Sequence, residues 1–139
     1  AVRDTHTIVV SSEGPPPATL ADLRLEGPLE DIHHVLAYAD VVVGESATMA
    51  AEAAVLGTPA VFVGTTSRGY VDDIERRYGL ISRFTPDEFP MAMADAAAIA
   101  AATDHGRWRD AQARLLDEHV DVTSWIVDHL LSVTDDGAP

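Results

Sequence analysis

At 139 residues the chain has the length of one domain, and its 47 % hydrophobic content leans on alanine, which predicts a core of small side chains. The absence of cysteine excludes disulfides, thiolate chemistry and cysteine-based zinc sites. Against 23 acidic residues stand 9 basic ones, all arginine, and a net charge of −14 disfavours nucleic acid and anionic membrane surfaces as partners.

An acid-rich, lysine-free surface resembles those of archaeal-type proteins from high-salt cytoplasm, where salt screens the self-repulsion. An acidic mesophilic protein from a GC-rich genome has a similar composition, so both origins stay open. There is no 18-residue apolar run and no signal-peptide pattern, and the expectation is a soluble cytoplasmic protein.

Thr7 to Ser11, TIVVS, is the first strand expected, followed by a loop at Glu13-Gly14-Pro15-Pro16-Pro17 that no helix or central strand can cross. Leu20 to Leu25 reads as a short helix leading into a strand. Gly27-Pro28 opens a helix, with Pro28 suited to a first turn and Glu30-Asp31 near its positive end. Ile32, Val35, Leu36 and Ala39 recur at helical spacing and give that helix an apolar face. His33 and His34 are adjacent, so they point about 100° apart on a helix and cannot chelate one metal ion together. They read as solvated or sheet-edge histidines, and no metal site is expected.

The stretch from Asp40 to Val63 is a complete strand–turn–helix–strand unit. Val41-Val42-Val43 is a β-branched run, as expected of a parallel strand buried on both faces. Ser46 is placed to cap the alanine-rich helix Ala47–Leu56, Gly57 to end it in a left-handed conformation, and Pro59 to forbid its continuation. Ala60 to Val63 is the next strand. Such a helix starts at the carboxyl end of a strand, where open α/β sheets bind ligands. Its first amides have no internal partner, and Ser46, Ala47 and Thr48 are small enough for a phosphate to approach. Glu52, one turn beyond Thr48, is the only charged residue between Ser46 and Gly57. A carboxylate there can accept two hydrogen bonds from a ribose diol; the bland alternative is a capped packing helix with a solvated glutamate.

Gly64-Thr65-Thr66-Ser67-Arg68-Gly69-Tyr70 forms a polar, glycine-flanked loop after the second strand of the unit. Its hydroxyls and glycine suit close approach to a ligand, and Arg68 can fork onto a phosphate or carboxylate. The alternative pairs Arg68 with Asp72 or Asp73. Val71 to Tyr78 is a helix closed by Gly79, and Leu80 to Phe84 the last parallel strand. Thr85-Pro86-Asp87-Glu88 has the pattern of a capping box opening a helix to about Ala102, with Phe89, Met93, Ala96 and Ile99 or Ala100 on its inner face. A helix over about Arg107 to His119 turns Trp108, Ala111 and Leu115 inward. The last helix carries a stripe of Val122, Trp125, Ile126, Leu130 and Val133, read as core; residues 135–139 are a tail.

The run GESATMAAEAAVLGTPAVFV, followed by SRGYVDDIERRYGLISRF, resembles the core signature of domain-of-unknown-function family 354. The resemblance spans about Glu26 to Phe84 and rests on Thr48-Met49, Glu52-Ala53-Ala54, Leu56-Gly57 and Pro59. That family is an uncharacterised archaeal and bacterial group similar to UDP-N-acetylglucosamine 2-epimerase and related GT-B glycosyltransferases. In the epimerase the matching stretch reads Ser-Gly-Gly, Glu-Glu-Ala and Leu-Gly-x-Pro, where small residues bind the UDP diphosphate and the second glutamate the ribose. Here Ala47-Thr48 stands in place of the Gly-Gly pair. The resemblance implies a Rossmann-like, three-layer α/β domain, with an open parallel sheet of about five strands and a helical C-terminus, equivalent to the C-terminal half of a GT-B fold.

It implies further that residues 1–134 are the nucleotide-sugar-binding part of a two-domain protein whose N-terminal domain is missing. The ligand would be UDP or a UDP-sugar, with no other cofactor. Ser46, Ala47 and Thr48 would face the diphosphate, Glu52 the ribose, and Gly64, Thr65, Thr66, Ser67 and Arg68 the sugar side, with Glu45 beside Ser46 also in the ligand-binding set. No catalytic residue is identified, and the chain by itself is expected to bind without catalysing. The rival expectation is a noncatalytic α/β module that acts by protein association, including homodimerisation through the terminal helix. A response-regulator-like receiver fits less well, because Asp40 opens its strand and no lysine exists to complete a phosphoacceptor site.

Overall fold

A computed structural model describes residues 5–12, 14–66 and 68–135 of the chain. Three strands, β1 (Val42–Gly44), β2 (Ala60–Val63) and β3 (Ile81–Phe84), form one parallel sheet in the order β1-β2-β3. The helices are α1 (Ile32–Tyr38), α2 (Ala47–Leu56), α3 (Gly69–Tyr78), α4 (Phe89–Ala100), α5 (Gly106–Asp117) and α6 (Val122–Asp135). The class is therefore α/β with an open parallel sheet and flanking helices.

The expectation of about five strands is corrected to three among the described residues. Thr7–Ser11 contributes only Val10, joined to Arg24 by an isolated parallel bridge, and the segment before Arg24 is a 3-10 helix over Ala18–Leu23. The 3-10 helix holds the chain up to Leu23 and a bend follows at Gly27, which leaves little extended backbone for the ladder to lengthen.

Both connections in the sheet are helical crossovers, which parallel neighbours require. Ser46 caps α2 by accepting a hydrogen bond from the Met49 amide at 3.3 Å, and Gly57 ends the helix at φ 90°. A side chain at Gly57 would in addition strike Gln112, whose amide donates to the Val55 carbonyl from α5. Val61 and Phe62 are adjacent on β2 and both buried, so both faces of the strand are covered. One face carries α2 and α3, which also pack on each other and on α5; α4 lies against β2 and β3 on the other. Small residues let these layers close: Ala50, Ala53, Ala54, Ala92 and Ala96 are all buried.

Three packing expectations change. Val43 on β1 is 40 % exposed, because β1 is an edge strand of this sheet and is not buried on both faces. In α4 the inner face is Ala92, Ala96 and Ile99, while Phe89 and Met93 are exposed. The helix starts after a 3-10 turn over Pro86–Glu88, which shifts the inward face onto the alanines. The stripe on α6 is exposed from Val122 to Val133 and contributes nothing to the core. Trp108, Ala111 and Leu115 of α5 are buried as expected. Of the expected tail, Asp135 is the last residue of α6, and residues 136–139 lie outside the described residues.

Candidate functional site

Gly44 pairs with Phe62 across β1 and β2, so the chain leaves both strands at the same edge of the sheet. There the segment Glu45–Thr48 leads into α2 and the segment Gly64–Arg68 leads towards α3. These are the two stretches singled out in the sequence, and parallel pairing of their strands brings their ends together. Ser67 lies outside the described residues.

At the start of α2, Ser46 uses its hydroxyl oxygen on the Met49 amide, which leaves the amides of Ala47 and Thr48 without a partner among the described residues. Glu45, Ser46 and Thr48 are exposed and Ala47 is half-buried. Thr48 and Glu52 line one cleft of about 540 Å³, together with His33, Ala51, Val55, Leu56 and Tyr70. It runs along the outer side of α2, with α1 contributing His33 and α3 contributing Tyr70. The walls are mainly apolar, and the polar groups are a hydroxyl, a carboxylate, an imidazole and a phenol.

Glu52 is not simply solvated. Its Oε2 lies 3.6 Å from Nε2 of His33, a contact that is ionic when the imidazole is protonated. His33 keeps the solvent exposure expected of it, but its partner was not legible. The contact depends on α1 lying beside α2, and the two residues are 19 positions apart in sequence (52 − 33). Among the described residues no group of three or more His, Cys, Asp or Glu is placed to hold a metal ion.

The loop after β2 divides in two. Gly64 continues the ladder, its amide donating to the Phe84 carbonyl at 2.9 Å. A Cβ at Gly64 would stand 2.7 Å from the Phe62 ring, so packing alone accounts for this glycine. Thr65 and Thr66 are exposed, and neither they nor Gly64 and Arg68 line the cleft. Arg68 is the residue that caps α3, with no side-chain bond to the helix. The partners proposed for it are taken: Asp72 pairs with Arg83, and Asp73 with Arg76 and Arg77. Among the described residues Arg68 makes no ion pair, and its guanidinium is exposed two residues before Tyr70.

Two residues of the candidate ligand set, Thr48 and Glu52, thus share a cleft; Glu45, Ser46 and Ala47 adjoin it at the start of α2; Thr65, Thr66 and Arg68 stand at the neighbouring strand end. No family model, no curated protein and no solved structure matches the chain.

Proposed function

We propose that the chain is the nucleotide-sugar-binding part of a glycosyltransferase-like or epimerase-like protein of the GT-B type, related to domain-of-unknown-function family 354. The observation that carries this reading is the shared cleft of Thr48 and Glu52, one helical turn apart below a capped helix start at a strand's carboxyl end. The amides of Ala47 and Thr48 and the partial positive charge of α2 would hold a diphosphate. Glu52 would accept from the ribose hydroxyls, with His33 fixing the carboxylate until the ligand arrives. Arg68, exposed and without an ion pair among the described residues, would supply the positive charge that a chain of net charge −14 needs near an anionic ligand. The work of the site is positioning and charge stabilisation without a resident metal. Catalytic groups would come from a second domain facing the cleft, and none is assigned here.

Calorimetric titration with UDP and UDP-N-acetylglucosamine in molar KCl tests this reading. Saturable binding is expected, weakened about tenfold or more by Glu52→Gln, the scale of one hydrogen bond to a charged group. Equal affinity in Glu52→Gln, with the fold intact, would reject the ribose assignment. Loss of half or less on Arg68→Gln would reject the role given to Arg68.

A second reading has its own observation. Trp125, Ile126, Leu130 and Leu131 on α6 are all about half exposed or more, and an exposed apolar helix face of this kind marks an interaction site. On this reading the domain associates with a second copy of itself through α6, with or without a nucleotide.

A further inference from the structure

A second cleft, of about 390 Å³, opens between the end of α3, the edge strand β3, α4 and α5, and shares no lining residue with the first. Tyr78, Gly79, Ser82, Asp95, Arg107 and Trp108 form its walls. Asp95 lies on α4, next to the buried Ala96. Its Oδ2 is closed off from solvent and has no hydrogen-bond partner among the described residues. A carboxylate oxygen held this way forfeits hydration without compensation, which native structures avoid unless something else supplies the donor.

The opposite charge is in the same cleft. Arg107, in the first turn of α5, rests its guanidinium 4.1 Å from the centre of the Trp108 ring. Stacking of this kind fixes the plane of the group and leaves its edge free to donate. Arg107 makes no ion pair among the described residues, so it and Asp95 face one space without meeting within 4.0 Å. A structural salt bridge would have closed that distance. Ser82 adds a hydroxyl to the same wall.

We propose that this cleft binds a small zwitterion of the amino-acid class, its ammonium on the Asp95 carboxylate and its acidic group on the Arg107 guanidinium. A ligand with only a positive charge would engage Asp95 alone and make no use of the guanidinium that Trp108 holds in the same cleft. One with only a negative charge would sit against Asp95 in a chain already at −14. A zwitterion answers both, and the volume suits a small molecule.

The probes are glycine, β-alanine, γ-aminobutyrate and ε-aminocaproate, whose two charges stand progressively further apart, with propylamine and propionate as single-charge controls. Titration of the protein by NMR and calorimetry is expected to give saturable binding that peaks at one spacing. The controls should bind at least about tenfold more weakly, and Asp95→Asn and Arg107→Gln should each cost about tenfold or more, the scale of a charge-assisted bond. Asp95→Asn keeps the shape and removes an uncompensated charge, so it should fold; Arg107 is exposed, and its substitution gives an independent test. Saturation by none of the four probes, controls that bind as tightly, or unchanged affinity in both variants would each overturn the proposal.

Discussion

Thr58 is the only buried polar residue in the core among the described residues, and its hydroxyl donates to the Leu36 carbonyl at 2.7 Å. The bond ties the end of α1 to the turn between α2 and β2. The Leu36 carbonyl also accepts from the Ala39 amide, so removing the threonine hydroxyl does not orphan it. Thr58→Val should therefore cost about 1 kcal/mol, the net value of one hydrogen bond, and not the larger penalty of a buried unpaired group. Urea unfolding with an unchanged slope would measure it; a loss several times larger would mean that the hydroxyl does more than join these two elements. At this scale the sequence exposes residue type but not partner. Ser46 was legible as a cap because its donor lies three positions on. His33 beside Glu52 and Gln112 under Gly57 were not, because each pair is fixed by how separate elements fold back on one another.

Elements were legible where local chemistry decides them. The bounds of α2 and β2 coincide with those expected, since Ser46, Gly57 and Pro59 punctuate the chain without help from tertiary contacts. The capping box of Thr85 and Glu88 is likewise present: the Glu88 carboxylate accepts from the Thr85 amide at 2.8 Å and from its hydroxyl at 2.9 Å. What the pattern could not fix is which face turns inward when most faces are apolar. In α4 alanine covers the helix nearly all round, so large residues such as Phe89 and Met93 lost the inner position to smaller ones that let the helix approach the sheet. In α6 the stripe has the spacing of a core helix but meets no core. The same pattern serves an interface and an interior, and sequence alone does not separate them.

For the whole molecule, a few carboxylates join elements across the surface. Glu118 accepts from the Tyr78 hydroxyl at 2.7 Å and pairs with Arg77, which ties the end of α5 to α3. The Tyr78 hydrogen bond, helped by the positive charge of Arg77, lowers the Glu118 pKa below the usual carboxylate range. The hydrogen bond from Arg77 does the same for Asp73, and the Thr85 amide for Glu88. A carboxyl group whose pKa is depressed on folding stabilises the fold above its unfolded value and loses that contribution as pH falls through the folded one. The melting temperature should accordingly drop below about pH 4.5, the ordinary glutamate range, and Glu118→Gln should flatten that drop. An unchanged profile in the variant would assign the acid sensitivity elsewhere.

Self-association is also a property of the whole molecule. If α6 joins two copies, sedimentation velocity in high salt should show a monomer–dimer equilibrium, and Leu130→Asp with Trp125→Ser should shift it to monomer. A strict monomer at every concentration would count against the association reading and leave the nucleotide reading untouched.

The two tryptophans of the chain sit in opposite settings, Trp108 at 3 % exposure beside the second cleft and Trp125 at 57 % on α6. Their fluorescence is therefore divided by place: a blue-shifted emission shielded from quenchers belongs to Trp108, a red-shifted and quenchable one to Trp125. One spectrum carries two separate signals, the first following the packed body of the protein and the second whatever comes to lie against its last helix.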